Sequence, residues 1–213
     1  MRKLASIRKV RKIEPIEGAD RIEIVTVDGW QVVANKGLHQ MGNLVIYCEI
    51  DSFLPIREEF EFLRRTSYKK MADGSEGFRL KSLRLRGVLS QGLILRMDFL
   101  PKGDYQVGDD VTELLGIQKY EPPMPPSLEG IAKGAFPSFI RKTDEERIQN
   151  LAEEYDTYRQ YHYFASEKID GTSCTIYYNQ HLEGEDDLFG VCSRNYNLEE
   201  TDNSTQWRNC ARF

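Results

Sequence analysis

Four prolines within five residues, Pro122-Pro123-Met124-Pro125-Pro126, divide this chain more sharply than any other stretch. Each proline fixes φ and lacks an amide donor, so neither a helix nor a central strand continues through the run. Such a sequence favours extended polyproline II and acts as a semi-rigid spacer. Three parts are therefore expected: residues 1–115, a Pro-rich linker at 116–135, and residues 136–213. With 213 residues and 40% hydrophobic side chains, the parts on either side have enough apolar material for ordinary cores.

The first part reads as short strands and turns. Ile22 to Val27 alternates apolar and polar, Asp28-Gly29 is a hairpin turn signal, and Trp30-Gln31-Val32-Val33 resumes the strand pattern. Leu44 to Cys48 has the form of a short buried strand. The leucines at 80, 83 and 85 fit no single period, but flanking glycines and Leu93-Ile94-Leu95 favour strand. Many short strands, Gly-rich turns and few helical stretches point to a small barrel.

Net charge is −5, yet the charge is uneven. Residues 1–115 carry 19 basic and 17 acidic side chains, whereas 116–213 carry 10 and 17. Residues 1–12 hold six basic groups and no acid, and residues 64–87 hold eight basic and two acidic ones. Phosphate-backbone affinity follows such local clusters rather than total charge. No apolar run approaches the 18 or so residues of a membrane span, and Met1-Arg2-Lys3-Leu4-Ala5 leads into no apolar signal core. Cys48, Cys174, Cys192 and Cys210 lie far apart without a Cys-x-x-Cys pair. That spacing argues against metal-thiolate and disulfide frameworks and for a reducing, cytoplasmic setting. Cys174 and Cys192 are expected to fill core positions in facing strands.

The second part opens with Thr143-Asp144-Glu145-Glu146, a capping-box start for a helix running to about Gln160, with Ile148, Leu151 and Tyr155 facing the core. Glu167-Lys168-Ile169-Asp170-Gly171 follows, then the strand-like Thr172 to Tyr178. An acidic loop, His181 to Asp187, leads to a second strand at Leu188 to Cys192, which runs into Ser193-Arg194-Asn195. A lysine amine is nucleophilic only when deprotonated, which a desolvated or cation-flanked site promotes. It would then attack an α-phosphate. The carboxylate two residues on orients the amine or holds a cation's water shell, and the glycine lets backbone approach the phosphate. The hairpin would return Arg194 towards the lysine, where a guanidinium pairs with phosphate or ribose oxygens. A solvated Lys and Asp entering a turn is the competing reading of the same residues.

Taken together, these motifs resemble the ATP-dependent RNA ligases of the RNA-ligase-2 kind, within the covalent nucleotidyltransferases. Phe136 to Asn150 is similar to the segment that precedes their lysine motif, Ser193-Arg194-Asn195 to their second motif, and Asn203 to Arg212 to the helix after it. In the first part, Pro15 to Val25 and Leu85 to Gly92 resemble OB-fold tRNA-binding modules, which a subgroup of RNA ligases carries ahead of the lysine domain. The resemblance implies an α+β chain: an OB-type β-barrel over 1–115, then part of an adenylation domain with antiparallel sheet and helices over 136–213. It implies Lys168 as catalytic nucleophile towards ATP, with Glu167, Ile169, Gly171, Arg194 and Gln149 around the nucleotide. Asp170 would hold Mg2+ or Mn2+ through water, and Arg84 and Arg86 would meet nucleic acid. The implied substrate is RNA with 3′-hydroxyl and 5′-phosphate ends, joined in RNA repair. The family's later motifs, including metal-shell glutamates and a Lys-x-Lys, are not found before Phe213. A truncated ligase with little end-joining activity of its own is therefore expected. The alternative is a non-catalytic OB-fold RNA- or tRNA-binding protein with a remnant ligase domain.

Overall fold

The computed structural model describes residues 3–71, 73–142, 146–167, 169–180 and 188–210. They form two compact units: residues 1–123 with 144–162, and residues 124–143 with 163–213.

In the first unit, β1 (Ala5–Pro15), β2 (Ile22–Val27), β3 (Trp30–Asn35) and β4 (Leu44–Cys48) form the frame. β5 (Ser52–Pro55), β6 (Tyr68–Lys70), β7 (Glu76–Arg79), β8 (Leu83–Leu85), β9 (Val88–Ser90), β10 (Leu93–Leu95) and β11 (Gln118–Lys119) follow. The main sheet runs β10-β4-β1-β2-β3, antiparallel throughout. β1 is long enough to serve two partners: Ala5–Lys9 pairs with β4, and Val10–Pro15 with β2. The register breaks between Val10 and Lys12, and an extra residue there bends the strand and curls the sheet. At the far edge, Gln91 N donates to Gln31 O (2.8 Å) and Val33 N to Ser90 Oγ (3.0 Å), which nearly closes the barrel.

Alternation does the rest. Val25, Val27, Trp30, Val32, Val45 and Tyr47 form one buried cluster, with Trp30 stacked on Tyr47 at 5.7 Å. Ile7, Ile46, Leu54, Phe60 and Phe78 belong to another, roofed by the β11-β5-β7-β6 sheet. The Asp28-Gly29 turn lies where the hairpin signal placed it, with Val27 opposite Trp30 and Asp28 at φ +48.

The stretch expected to be a helix to Gln160 is different. It forms a 3-10 turn at Ile148–Glu154 and a single helical turn, α2 (Tyr155–Tyr158), in a chain whose α1 is Arg64–Ser67. Ile148, expected in the core, is 65% exposed, while the proposed cap Thr143 lies outside the described residues. The physical reason is tertiary. Gly29 N donates to Gln149 O (3.0 Å), and Trp30 Nε1 donates to Asn150 Oδ1 (2.5 Å). Asn150 Nδ2 in turn donates to Glu49 Oε1 (2.7 Å) and to Glu146. These bonds hold the strap flat on the barrel, and an α-helix would have to give up the carbonyl of Gln149 to make its own ladder. Residues 144–162 group with the barrel.

The second unit is an open antiparallel sheet, β12-β15-β14-β13, built from β12 (Ala132–Ala135), β13 (Thr175–Tyr178), β14 (Phe189–Cys192) and β15 (Tyr196–Leu198). One turn and a half of helix, α3 (Thr205–Cys210), covers it, with Trp207 edge-on to Phe189 and Trp207 Nε1 donating to Leu198 O (3.0 Å). Ser204 caps this helix by accepting from Trp207 N (3.3 Å). Val191, Cys192 and Leu198 are its buried apolar residues among those described. Cys174 is exposed rather than a core filler, because β13 begins only at Thr175.

Candidate nucleotide-binding site

The lysine motif enters β13 as irregular chain. Glu167, Ile169, Asp170 and Gly171 are all exposed there, Ile169 at 84%, and Lys168 itself lies outside the described residues. Residues without a ladder on either side present their backbone amides to whatever binds. β13 pairs with β14 in a register that sets Thr175 opposite Cys192. Gly171–Cys174 and Ser193-Arg194 therefore leave the hairpin at the same end. Arg194 sits on the tight β14–β15 turn, which Ser193 N closes by donating to Tyr196 O (2.9 Å). Its side chain is exposed. Phe136 N donates to Asn195 O (2.9 Å), and Phe139 packs edge-on against Tyr177 at 5.2 Å. The Phe136–Ile140 segment and the Ser193–Asn195 turn thus flank one sheet.

Gln149, the candidate for the adenine edge, is found in the first unit. Its Cα lies 2.9 Å from where a Cβ on Gly29 would stand. Arg84 and Arg86 stand on the exposed β8–β9 ribbon. Arg86 and Gly87 take φ values of +50 and +82, the conformation a two-residue hairpin turn needs, and Arg84 folds back to donate to Gly87 O (3.3 Å). Beside that ribbon runs a groove of about 550 Å³ whose lining includes Val33, Leu38, Phe62, Leu85, Ile94 and Phe99. Its walls are mostly apolar, with Asn35, Arg96 and Asp98 as the polar exceptions, so it suits flat or aliphatic groups more than phosphate.

Among the described residues, no three His, Cys, Asp or Glu side chains cluster to hold a metal ion. Asp170 supplies one hard oxygen donor pair, which fits a cation that keeps most of its water and shares the phosphates. The Trp30–Asn150–Glu49 network was not legible beforehand. Asn150 lies more than a hundred residues from Glu49, and nothing local marks it. Arg147, in the same strap, stands over the Trp30 ring at 5.7 Å.

An OB-fold domain model matches residues 4–97. No curated protein sequence matches the chain. Among solved structures, the RNA ligase of Naegleria gruberi is similar in several states. A variant without ligand is 44% identical with a TM-score of 0.77, over 99% of this chain and 60% of that one. A variant with AMP and manganese gives 44% and 0.77, over 99% and 61%. The enzyme with pyrophosphate gives 43% and 0.73, over 100% and 61%. The chain spans about three-fifths of the ligase it matches. Over the part of such an enzyme that it spans, this α+β chain, with an OB barrel first and the lysine-motif sheet second, is a structural relative of the RNA ligases.

Proposed function

We propose that this chain serves an ATP-dependent RNA ligase that joins 3′-hydroxyl and 5′-phosphate RNA ends in cytoplasmic RNA repair. The similarity to an enzyme solved with AMP, ATP, pyrophosphate and manganese, extending over nearly all of this chain at 41–44% identity, is the observation that carries the reading. The Lys168-x-Asp170-Gly171 spacing adds a nucleophile of the right type.

In this mechanism the Lys168 amine attacks the α-phosphate of ATP, a nitrogen–phosphorus bond forms, and pyrophosphate leaves. The AMP then passes to the 5′-phosphate of RNA, restoring the amine. A 3′-hydroxyl attacks that activated phosphate, its proton is lost, and AMP departs as the phosphodiester forms. Each step is phosphoryl transfer, so alignment and charge neutralisation dominate. Magnesium or manganese, held through water by Asp170 and shared with the phosphates, would supply part of that neutralisation. Arg194 contacts phosphate or ribose from the β14–β15 turn. Glu167 and Ile169 offer main chain to the adenine, and Gly171 admits the phosphate to the backbone. Arg84 and Arg86 on their ribbon meet the RNA backbone.

The test is transfer of label from α-labelled ATP, with manganese, to the protein as the cell makes it. The reading expects label that Lys168→Ala abolishes and that moves to 5′-phosphate RNA. Label that survives Lys168→Ala, or none on a folded protein, overturns it.

A further inference from the structure

Two of the four cysteines, 36 positions apart, meet. Cys174 Sγ and Cys210 Sγ are 3.8 Å apart, within reach of each other. Cys174 is exposed, and Cys210 is half-buried at the end of α3. Cys192 belongs to the same neighbourhood, but it is buried, and its Sγ is turned to Asn197 Oδ1 at 3.6 Å.

We propose that Cys174 and Cys210 form a reversible disulfide, a modification site that fastens the chain leaving the Lys168 motif to the end of α3. The proposal does not rest on the ligase reading. Position favours it. Cys174 stands between Gly171, the last residue of the motif, and Thr175, the first of β13, so it is accessible and carried on chain without ladder bonds. The oxidant would be a small-molecule disulfide of the glutathione class. The Cys174 thiolate attacks one of its sulfurs, the oxidant's S–S bond breaks, and one small thiol leaves with a proton. The Cys210 thiolate then attacks the Cys174 sulfur of the mixed disulfide, closing the protein bond and releasing the second small thiol. Two protein thiols are oxidised and one disulfide is reduced to two thiols. Burial first, then the Cys210 thiol, holds Cys174 above the ordinary thiol range. Attack by Cys174 therefore proceeds through a small thiolate fraction and is slow, so the 3.8 Å approach of the two sulfurs, and not an activated thiol, favours the bond.

Oxidised glutathione, then peptide mapping without reductant, tests this on the whole protein. The expected result is loss of two of the four free thiols, a Cys174–Cys210 linked peptide, and full reversal by dithiothreitol. Closing a loop of this length should also raise the melting temperature of its unit by roughly 10–20 °C. Cys174→Ser and Cys210→Ser should each leave a mixed disulfide on the remaining partner and lose the rise. Four free thiols, glutathione trapped on Cys174 with Cys210 free, or a Cys174–Cys192 link would overturn the proposal.

Discussion

The barrel and the lysine-motif sheet use similar strands and reach opposite outcomes. In the first unit each inward side chain faces another strand, and Val25, Val27, Ile46, Leu54 and Phe78 are completely covered. In the second, four short strands lie open. Val191 and Cys192 are covered, while Ile176 and Tyr178 on β13 are each more than half exposed. Closure, not composition, makes the difference. A curled sheet supplies its own opposite wall, whereas an open one needs another layer. The lysine motif belongs to the open sheet, where exposed backbone is useful.

The contrast breaks first at Trp30. Trp30→Ala empties a wholly buried ring position beside Tyr47 and leaves Asn150 without its indole donor. We expect a loss of about 3–5 kcal/mol in denaturant unfolding, with the strap loosening along with the barrel. A loss confined to the barrel, without new exchange at residues 146–150, would show that the strap does not depend on Trp30.

Two glycines sharpen the comparison further. A Cβ on Gly77 would meet the Phe53 ring at 2.8 Å and the Leu54 carbonyl closer still, and that backbone is fixed in the β5–β7 pair. Gly77→Ala should cost about 2–3 kcal/mol. On Gly190 the obstacle is the outer part of the Tyr177 ring, at 2.5 Å for Cε1, in the open sheet. That ring can swing out, at the expense of its bond from Asn197 Nδ2, so Gly190→Ala should cost only about 1 kcal/mol. Equal costs in chemical denaturation would erase the distinction.

The smallest effect concerns Asp28, buried at the hairpin turn with Arg8 Nη1 3.2 Å away. Burial pushes its carboxyl above the ordinary value of 3.8, outweighing Arg8 and then Arg11. Because the folded state holds the proton more tightly, the stability this group contributes is complete below 3.8. It is lost as pH rises through the raised folded value. Asp28→Asn should flatten that slope, so its stability relative to wild type should improve from acid to neutral pH. Asparagine also suits the positive φ there. A melting comparison across pH in which the variant instead falls behind at neutrality would mean that the Arg8 pair outweighs desolvation.

Much of this was legible in the chain. The Asp28-Gly29 turn, the strands at 22–27, 30–35 and 44–48, and the hairpin of 175–178 with 189–192 follow from alternation and turn chemistry. Within residues 1–12 the basic side chains stand out, and no strand is expected from Ala5 to Glu14. Residues 5–15 form the longest strand, in which Ile7 and Val10 are buried, Lys9 and Arg11 are exposed, and Arg8 pairs with the buried Asp28. The helix over 143–160 failed because a glycine amide and an indole from another part of the chain compete for the strap's polar groups. The thiol pair was hidden for the same reason, since spacing along a sequence says nothing of which ends a fold brings together.

The strap has a consequence for how such a molecule can be taken apart. The polypeptide passes from one unit to the other after Pro123, back after Thr143, and over again after His162. A protease nick between 124 and 143 would yield two fragments that still copurify, because the later one keeps its grip on the barrel through Gln149 and Asn150. Neither unit is one continuous segment, so cutting the gene at a single pair of ends would release neither intact.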